Sequence, residues 1–171
     1  MMTDDHAAPP PTDRHRVQVV IGWQPLGEIT AIGDEIALPP APPGRAGGLY
    51  RFVLRRAGHH RVYVGETENY ARRFSQYAHP GPTQTTNLRM KDRLVRLLAL
   101  PDTSARLDVA VEVEIRCGDT LVDPAGAPAT FYRRLAENAA LVDLAAHGVH
   151  LINGRGYPRG ELDDAGMEGF E

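Results

Sequence analysis

The sequence predicts a single α/β domain of the α+β type: a small, mostly antiparallel central sheet flanked by three helices, with an extra N-terminal strand at an edge. Three observations point there. Strand-type runs recur at Val17–Trp23, Leu49–Leu54, Arg61–Gly65 and Arg106–Arg116. Helical spacing of apolar and charged residues recurs at Tyr70–Tyr77, Asn87–Leu100 and Thr130–His147. Gly58, between the second and third runs, reads as a hairpin turn, which makes those two strands antiparallel neighbours.

Residues 1–15, with Pro9, Pro10 and Pro11, show no periodicity and are expected to form a disordered leader. Val17, Val19, Ile21 and Trp23 then alternate as in a strand. The segment Leu26–Leu38 mixes Ile29, Ile32 and Ile36 with Gly27 and Gly33 and receives no assignment. Pro39–Gly44 is too rich in proline for a helix or a central strand, so residues 16–46 read as a strand and an extended lead-in to a domain at 47–156.

Within that domain, any hairpin register that sets even positions opposite odd ones puts Tyr50 and Tyr63 on one face, and a one-residue slip separates them. Gly65 ends the second strand, and Thr67 or Asn69 can cap the helix that follows. Arg73 and Tyr77 are four apart and share a helical face, whereas Phe74 points to the core. Pro80-Gly81-Pro82 breaks the chain.

In the Asn87–Leu100 helix, Leu88, Val95 and Leu98 are expected to pack inward and Arg89, Lys91, Arg93 and Arg96 to supply charge. Along Arg106–Arg116, Leu107, Val109, Val111, Val113 and Ile115 alternate with Asp108, Ala110, Glu112 and Glu114, which predicts a strand with one solvated side. Cys117–Pro128 reads as a loop. Thr130 is an expected N-cap and Gly148 an expected stop for the third helix. Residues 157–171 are acidic and glycine-rich and read as a flexible tail.

Composition narrows the function classes. With 42% hydrophobic and 24% charged residues the chain reads as ordinary globular protein. A lone Cys117 excludes an internal disulfide and a multi-cysteine zinc site, so a reducing, cytoplasmic setting is the default expectation. No apolar run approaches the roughly 18–20 residues that span a bilayer, so no membrane partner is expected. The net charge of −3 conceals an asymmetry. Residues 45–100 hold eleven Arg or Lys against three acids, an excess of eight positive charges, and the rest of the chain carries an excess of eleven negative charges. Such a segment attracts phosphate backbone, although a solvated arginine-rich surface has the same composition.

Cutting a phosphodiester requires an activated oxygen nucleophile, charge stabilisation at the phosphate and assistance to the leaving oxygen. Glu137 lies in the largely apolar helical stretch Leu135–Leu141, and its carboxylate reads as solvent-facing, paired with Arg133 or Arg134, or a metal ligand. The histidine pairs His59/His60 and His147/His150 lack carboxylate or cysteine partners at ligand spacing. Gly154-Arg155-Gly156 does not open a helix after a strand as a phosphate loop does.

Gly48-Leu49-Tyr50 and Tyr63-Val64-Gly65 stand on the two hairpin strands, and the frame Tyr63-x-Gly65-x-x-x-Asn69-x-x-x-Arg73 follows. This ordered set resembles the GIY-YIG nuclease family across about residues 47–153. The resemblance implies a divalent-metal-dependent endonuclease acting on double-stranded or branched DNA. It implies Tyr50 as general base, Tyr63 orienting water or phosphate, Arg73 on the phosphate and Tyr77 at the position where relatives carry histidine or tyrosine. It implies Glu137 as the single protein ligand of Mg²⁺ or Mn²⁺, and Asn153, with Asn138 a weaker rival, as the asparagine anchoring phosphate or the water shell of the metal. DNA contacts are expected from Arg72, Arg89, Lys91, Arg93 and Arg96. An enzyme that cuts both strands with one site would pair as a homodimer or bind twice. A binding module that engages DNA without cutting it, and a protein-interaction domain, are the rival expectations.

Overall fold

The computed structural model describes residues 15–123 and 129–153. The leader through residue 14, the tail at 157–171 and part of the Cys117–Pro128 segment lie outside the described residues. Seven strands and three helices follow in the order β1 (Val17–Ile32), β2 (Glu35–Ala37), β3 (Gly48–Arg56), β4 (His59–Thr67), α1 (Tyr70–Ala78), α2 (Thr85–Leu98), β5 (Thr103–Cys117), β6 (Thr120–Leu121), α3 (Ala129–Ala146) and β7 (His150–Leu151). The sheet order is β2-β1-β5-β3-β4-β7, with β6 on β5. Every pairing is antiparallel except β4 with β7. This is the expected α+β architecture. No described helix is long and apolar enough to cross a membrane.

Both faces of the sheet are covered. Tyr50, Phe52 and Leu54 of β3 and Leu107 and Val109 of β5 pack with Tyr70, Phe74 and Tyr77 of α1 and Met90, Leu94 and Leu97 of α2. On the other face Leu49, Val53, Val62 and Val64 meet Ala136, Ala140 and Leu141 of α3. A strand buried on both sides reads as a near-continuous apolar run, which is why Leu49–Leu54 carries little polar residue. The hairpin turns on Ala57 (φ 47) and Gly58 (φ 82). Two successive left-handed residues are what a two-residue turn requires to match the strand twist.

The segment left unassigned is strand. β1 continues to Ile32, turns at Gly33 (φ 57) and returns as β2. It remains the outer long strand, since β2 pairs with Thr30–Ile32 only. The register with β5 passes from Pro25↔Asp108 to Gly27↔Leu107, so Leu26 is an extra residue and Pro25 sits beside a bulge. That is where a strand tolerates a residue without an N–H.

Three expectations fail for identifiable reasons. The β5 alternation does not describe one face, because the register passes from Gly22↔Glu112 to Trp23↔Ala110 and leaves Val111 bulged. One extra residue reverses the parity of everything beyond it. Leu107 and Val109 therefore face α1 and α2, whereas Val113 joins Ala110 on the α3 side. Nor is the opposite side solvated: Asp108 is fully buried, bonded by Arg51 Nε at 2.8 Å and Arg106 Nε at 2.7 Å. Trp23 stacks on the same Arg51 guanidinium.

The second correction concerns α2, which buries Asn87, Met90, Leu94 and Leu97 while Leu88 is exposed. The helix begins at Thr85, and its inward stripe runs at i, i+3, i+7 and i+10 from Asn87; Val95 and Leu98 only flank it. The third is β6, a two-residue strand inside the expected loop, folded back on β5 through Gly118 (φ 61). The third helix starts at Ala129, and Thr130 lies within its first turn. It ends as expected at Gly148 (φ 73), whose N–H donates to Ala145 O.

Candidate active site

The hairpin register supplies the first condition of a site. Tyr50 opposes Gly65 and Phe52 opposes Tyr63, so even positions face odd ones and both tyrosines lie on the face toward α1. Gly65 is required by this packing. A Cβ there would stand 2.4 Å from Tyr50 Oη, because the Tyr50 ring crosses the neighbouring strand where no side chain intervenes. Gly48 does the same for Tyr70, whose hydroxyl donates to Leu49 O at 3.0 Å.

The second condition is the phase of α1. Asn69 is its N-cap, accepting from Arg72 N at 2.8 Å, while Thr67 Oγ1 accepts from Asn69 N. The cap fixes where the helix starts and therefore aims Arg73 and Tyr77 together over the two strand tyrosines. Phe74 is buried as expected, and Arg72 points to solvent, pairing with Glu68 at 2.7 Å.

These elements bring four expected residues into one hydrogen-bonded network. Arg73 Nε donates to Tyr50 Oη and Arg73 Nη2 to Tyr77 Oη, each at 2.9 Å. Tyr77 Oη donates to Tyr63 Oη at 3.3 Å and lies 2.9 Å from Tyr50 Oη. With the proton of Tyr77 directed to Tyr63, Tyr50 donates to Tyr77. The phenol chain thus runs from the fully buried Tyr50 outward to the half-buried Tyr63. Burial pushes the Tyr50 hydroxyl well above the ordinary phenol range, as does any charge on Tyr63, against the pull of Arg73. Burial raises Tyr77 as well. Arg73 is desolvated, yet Tyr50 and Tyr77 hold it firmly in the charged form. Two of its five N–H groups serve phenols, and the same guanidinium lines a cavity of about 270 Å³ with Arg72, Gln76, Glu66 and Thr130.

Glu137 approaches from α3. It is half-buried, and among the described residues it makes no ion pair; Arg133 is bonded instead to Glu66 at 2.8 Å. Burial raises the Glu137 pKa, the neighbouring Glu66 charge raises it further, and Arg134 and Arg73 oppose the rise. Glu137 therefore lies within electrostatic reach of both Arg73 and a second carboxylate. A cation would relieve that repulsion. Among the described residues no group of three or more His, Cys, Asp or Glu surrounds it.

Asn153 is bonded to the β4 backbone. Its Oδ1 accepts from Val64 N at 2.9 Å and its Nδ2 donates to Val64 O at 2.6 Å, so both ends of the amide extend the β4–β7 ladder. Its rival Asn138 is exposed and donates to Arg134 O. Of the expected DNA contacts, Arg72, Arg89 and Arg96 are exposed, and Lys91 and Arg93 are partly covered. Lys91 pairs with Glu35, Arg96 with Asp92 and Arg72 with Glu68. Sequence reasoning passed over Glu66 and Tyr70. Strand parity was the available signal for Glu66: it alternates with Tyr63 and Gly65 and so faces α3, where Arg133 meets it.

No family model matches the chain, and comparison with curated proteins and with solved structures finds no match.

Proposed function

We propose that the chain is a divalent-cation-dependent endonuclease that hydrolyses DNA phosphodiester bonds. The observation that carries this reading is the Arg73 guanidinium, bonded to Tyr50 and Tyr77 and lining an open cavity that Glu66 also lines. A fixed guanidinium suits two phosphate oxygens and stabilises the charge that grows on them in the transition state. Glu137 would hold the cation, with Glu66 next to it. When bound, Mg²⁺ or Mn²⁺ supplies Lewis acidity toward phosphate oxygen and water.

Tyr63 ends the phenol chain on its outer side, so its oxygen is the one that meets the attacking water. Tyr50, enclosed at the inner end, serves as the proton sink of the chain. In the reactive form one phenol proton is absent and the negative charge rests beside Arg73. With the Tyr50 proton lost the two phenol hydrogen bonds turn round, Tyr77 donating to Tyr50 and Tyr63 to Tyr77. Water then gives its proton to Tyr63 as Tyr63 passes its own to Tyr77 and Tyr77 to Tyr50. The new bond from water oxygen to phosphorus forms as the bond from phosphorus to the leaving sugar oxygen breaks, and that oxygen takes a proton from a second water, giving a phosphate monoester and a hydroxyl end. The exposed pairs of Arg72 and Arg96 can exchange their acids for phosphate at little cost, since such pairs contribute about 0–1 kcal/mol.

The test is a cleavage assay on plasmid, single-stranded and branched DNA with Mg²⁺ or Mn²⁺. The native protein cuts, and Glu137→Ala and Arg73→Ala each lose about 10²–10³ in rate, as removal of a charge-stabilising group does elsewhere. Intact plasmid under all conditions, or a Glu137→Ala protein that cuts equally well, overturns the proposal. Salt-sensitive DNA affinity without cutting would leave a binding module in its place.

A further inference from the structure

We infer that a second cavity next to the phosphate site takes the nucleobase beside the scissile phosphate, which rests on the nuclease reading and gives it a specificity pocket. The cavity has about 370 Å³ and shares Glu68 and Arg133 with the Arg73 cavity, so the two are neighbours.

Its origin lies in the strands. β3 stops pairing with β5 at Tyr50↔Val109, yet β5 continues to Cys117. Beyond that point Val111 bulges out of the β1 register. The carbonyls of Ala110 and Val111 are taken by the Arg45 guanidinium, at 3.1 and 2.8 Å. The gap left between the start of β3 and the continuing strand is bridged by α3, where Tyr132 Oη donates to Val113 O at 2.7 Å. The backbone around the gap is thus bonded without a strand to fill it, and the space stays open.

The lining selects the ligand. Leu49, Ala110 and Ala136 make an apolar floor, and the Tyr132 ring forms part of the wall. A flat aromatic ring gains from both. The charged lining is Arg45, Arg133, Glu68 and Glu112. Arg45 is engaged by the Ala110 and Val111 carbonyls, Arg133 by Glu66 and Glu68 by Arg72, so Glu112 is the acceptor on offer to a ligand. A nucleobase bearing an exocyclic amino group offers Glu112 a donor where thymine offers a carbonyl oxygen. A strand whose phosphate lies at Arg73 carries its neighbouring base toward this opening once that base leaves the stack.

The experiment follows amide and methyl NMR signals of the full chain in EDTA, where no cleavage occurs. It is titrated with dCMP, dTMP and deoxyribose 5-phosphate. dCMP is expected to shift Ala129, Tyr132 and Ala136 and to bind more tightly than the other two. Ala129→Trp, at an exposed helix position on the rim, should weaken dCMP by about tenfold, the scale of one stacked base, and leave deoxyribose 5-phosphate unchanged. Glu112→Gln, a conservative exchange at an exposed position, should reduce the preference for dCMP over dTMP. Equal binding of dCMP and deoxyribose 5-phosphate, or no effect of Ala129→Trp in a protein with native circular dichroism, overturns the pocket. Plasmid cutting with no base-dependent shift sinks the pocket alone. Base-dependent shifts without cutting keep the pocket and remove the nuclease.

Discussion

At the scale of single residues, the atoms proposed for chemistry are also the atoms that fill the core. Tyr50 and Tyr77 are fully buried, and each large side chain so buried contributes about 1.5–3 kcal/mol. Gly65 is the residue on which this double use depends. Gly65→Ala puts a methyl within 2.4 Å of Tyr50 Oη, so the ring must tilt away from Arg73. The expected outcome is a stability loss of about 1–3 kcal/mol by overpacking, read by urea denaturation, with cleavage reduced further than stability alone explains. A variant with native stability and native rate would remove the close approach from the account. Tyr-x-Gly was legible in the sequence as a spacing. The reason for the glycine was not, because it lies in the residue on the facing strand.

At the scale of elements, the hairpin and α1 followed from local signals. Gly58 marked the turn and Thr67 or Asn69 the helix start, while the register stayed open between an even-to-odd pairing, which the structure takes, and a one-residue slip. β5 did not, because its apolar alternation runs unbroken through a bulge that exists only through pairing with β1. The approach of Glu137 to Glu66 was equally out of reach, since it depends on where α3 crosses β4. The turn itself carries a testable strain. Ala57 holds φ 47, where a non-glycine residue costs about 1–2 kcal/mol and asparagine costs less. Ala57→Asn is therefore expected to stabilise the fold by about 0.5–1 kcal/mol and to raise the melting temperature by a few degrees, with cleavage unaltered. A lower melting temperature would show that the turn does not bear this strain.

For the molecule as a whole, the electrostatics predict a pH profile. The Tyr50 and Tyr77 hydroxyls lie above the ordinary phenol range, so the network is almost wholly protonated at neutral pH. The reactive form then grows about tenfold per pH unit, and cleavage should rise with unit slope up to at least the ordinary phenol range near pH 10. The acid limb comes from Glu137, whose pKa is raised: its affinity for a cation is lost as pH falls through a value above the usual carboxylate range. Stability changes in the opposite sense. A carboxyl with a raised folded-state pKa favours the fold when protonated and loses that contribution as pH rises through the folded value, so cation-free protein should be more stable near pH 4 than this residue allows at pH 7. Glu137→Gln removes that dependence in thermal melts, and an unchanged pH profile in the variant would point to another group.

The hydrogen bonds of Asn153 to Val64 join positions 89 apart, whereas Tyr50 and Tyr77 are 27 apart. On the ribosome the hairpin and first helix emerge together, and the carboxylate of α3 follows sixty positions after Tyr77. The arginine–tyrosine network is thus synthesised well before α3, and the Asn153 amide that fastens the chain to β4 comes last of the described residues.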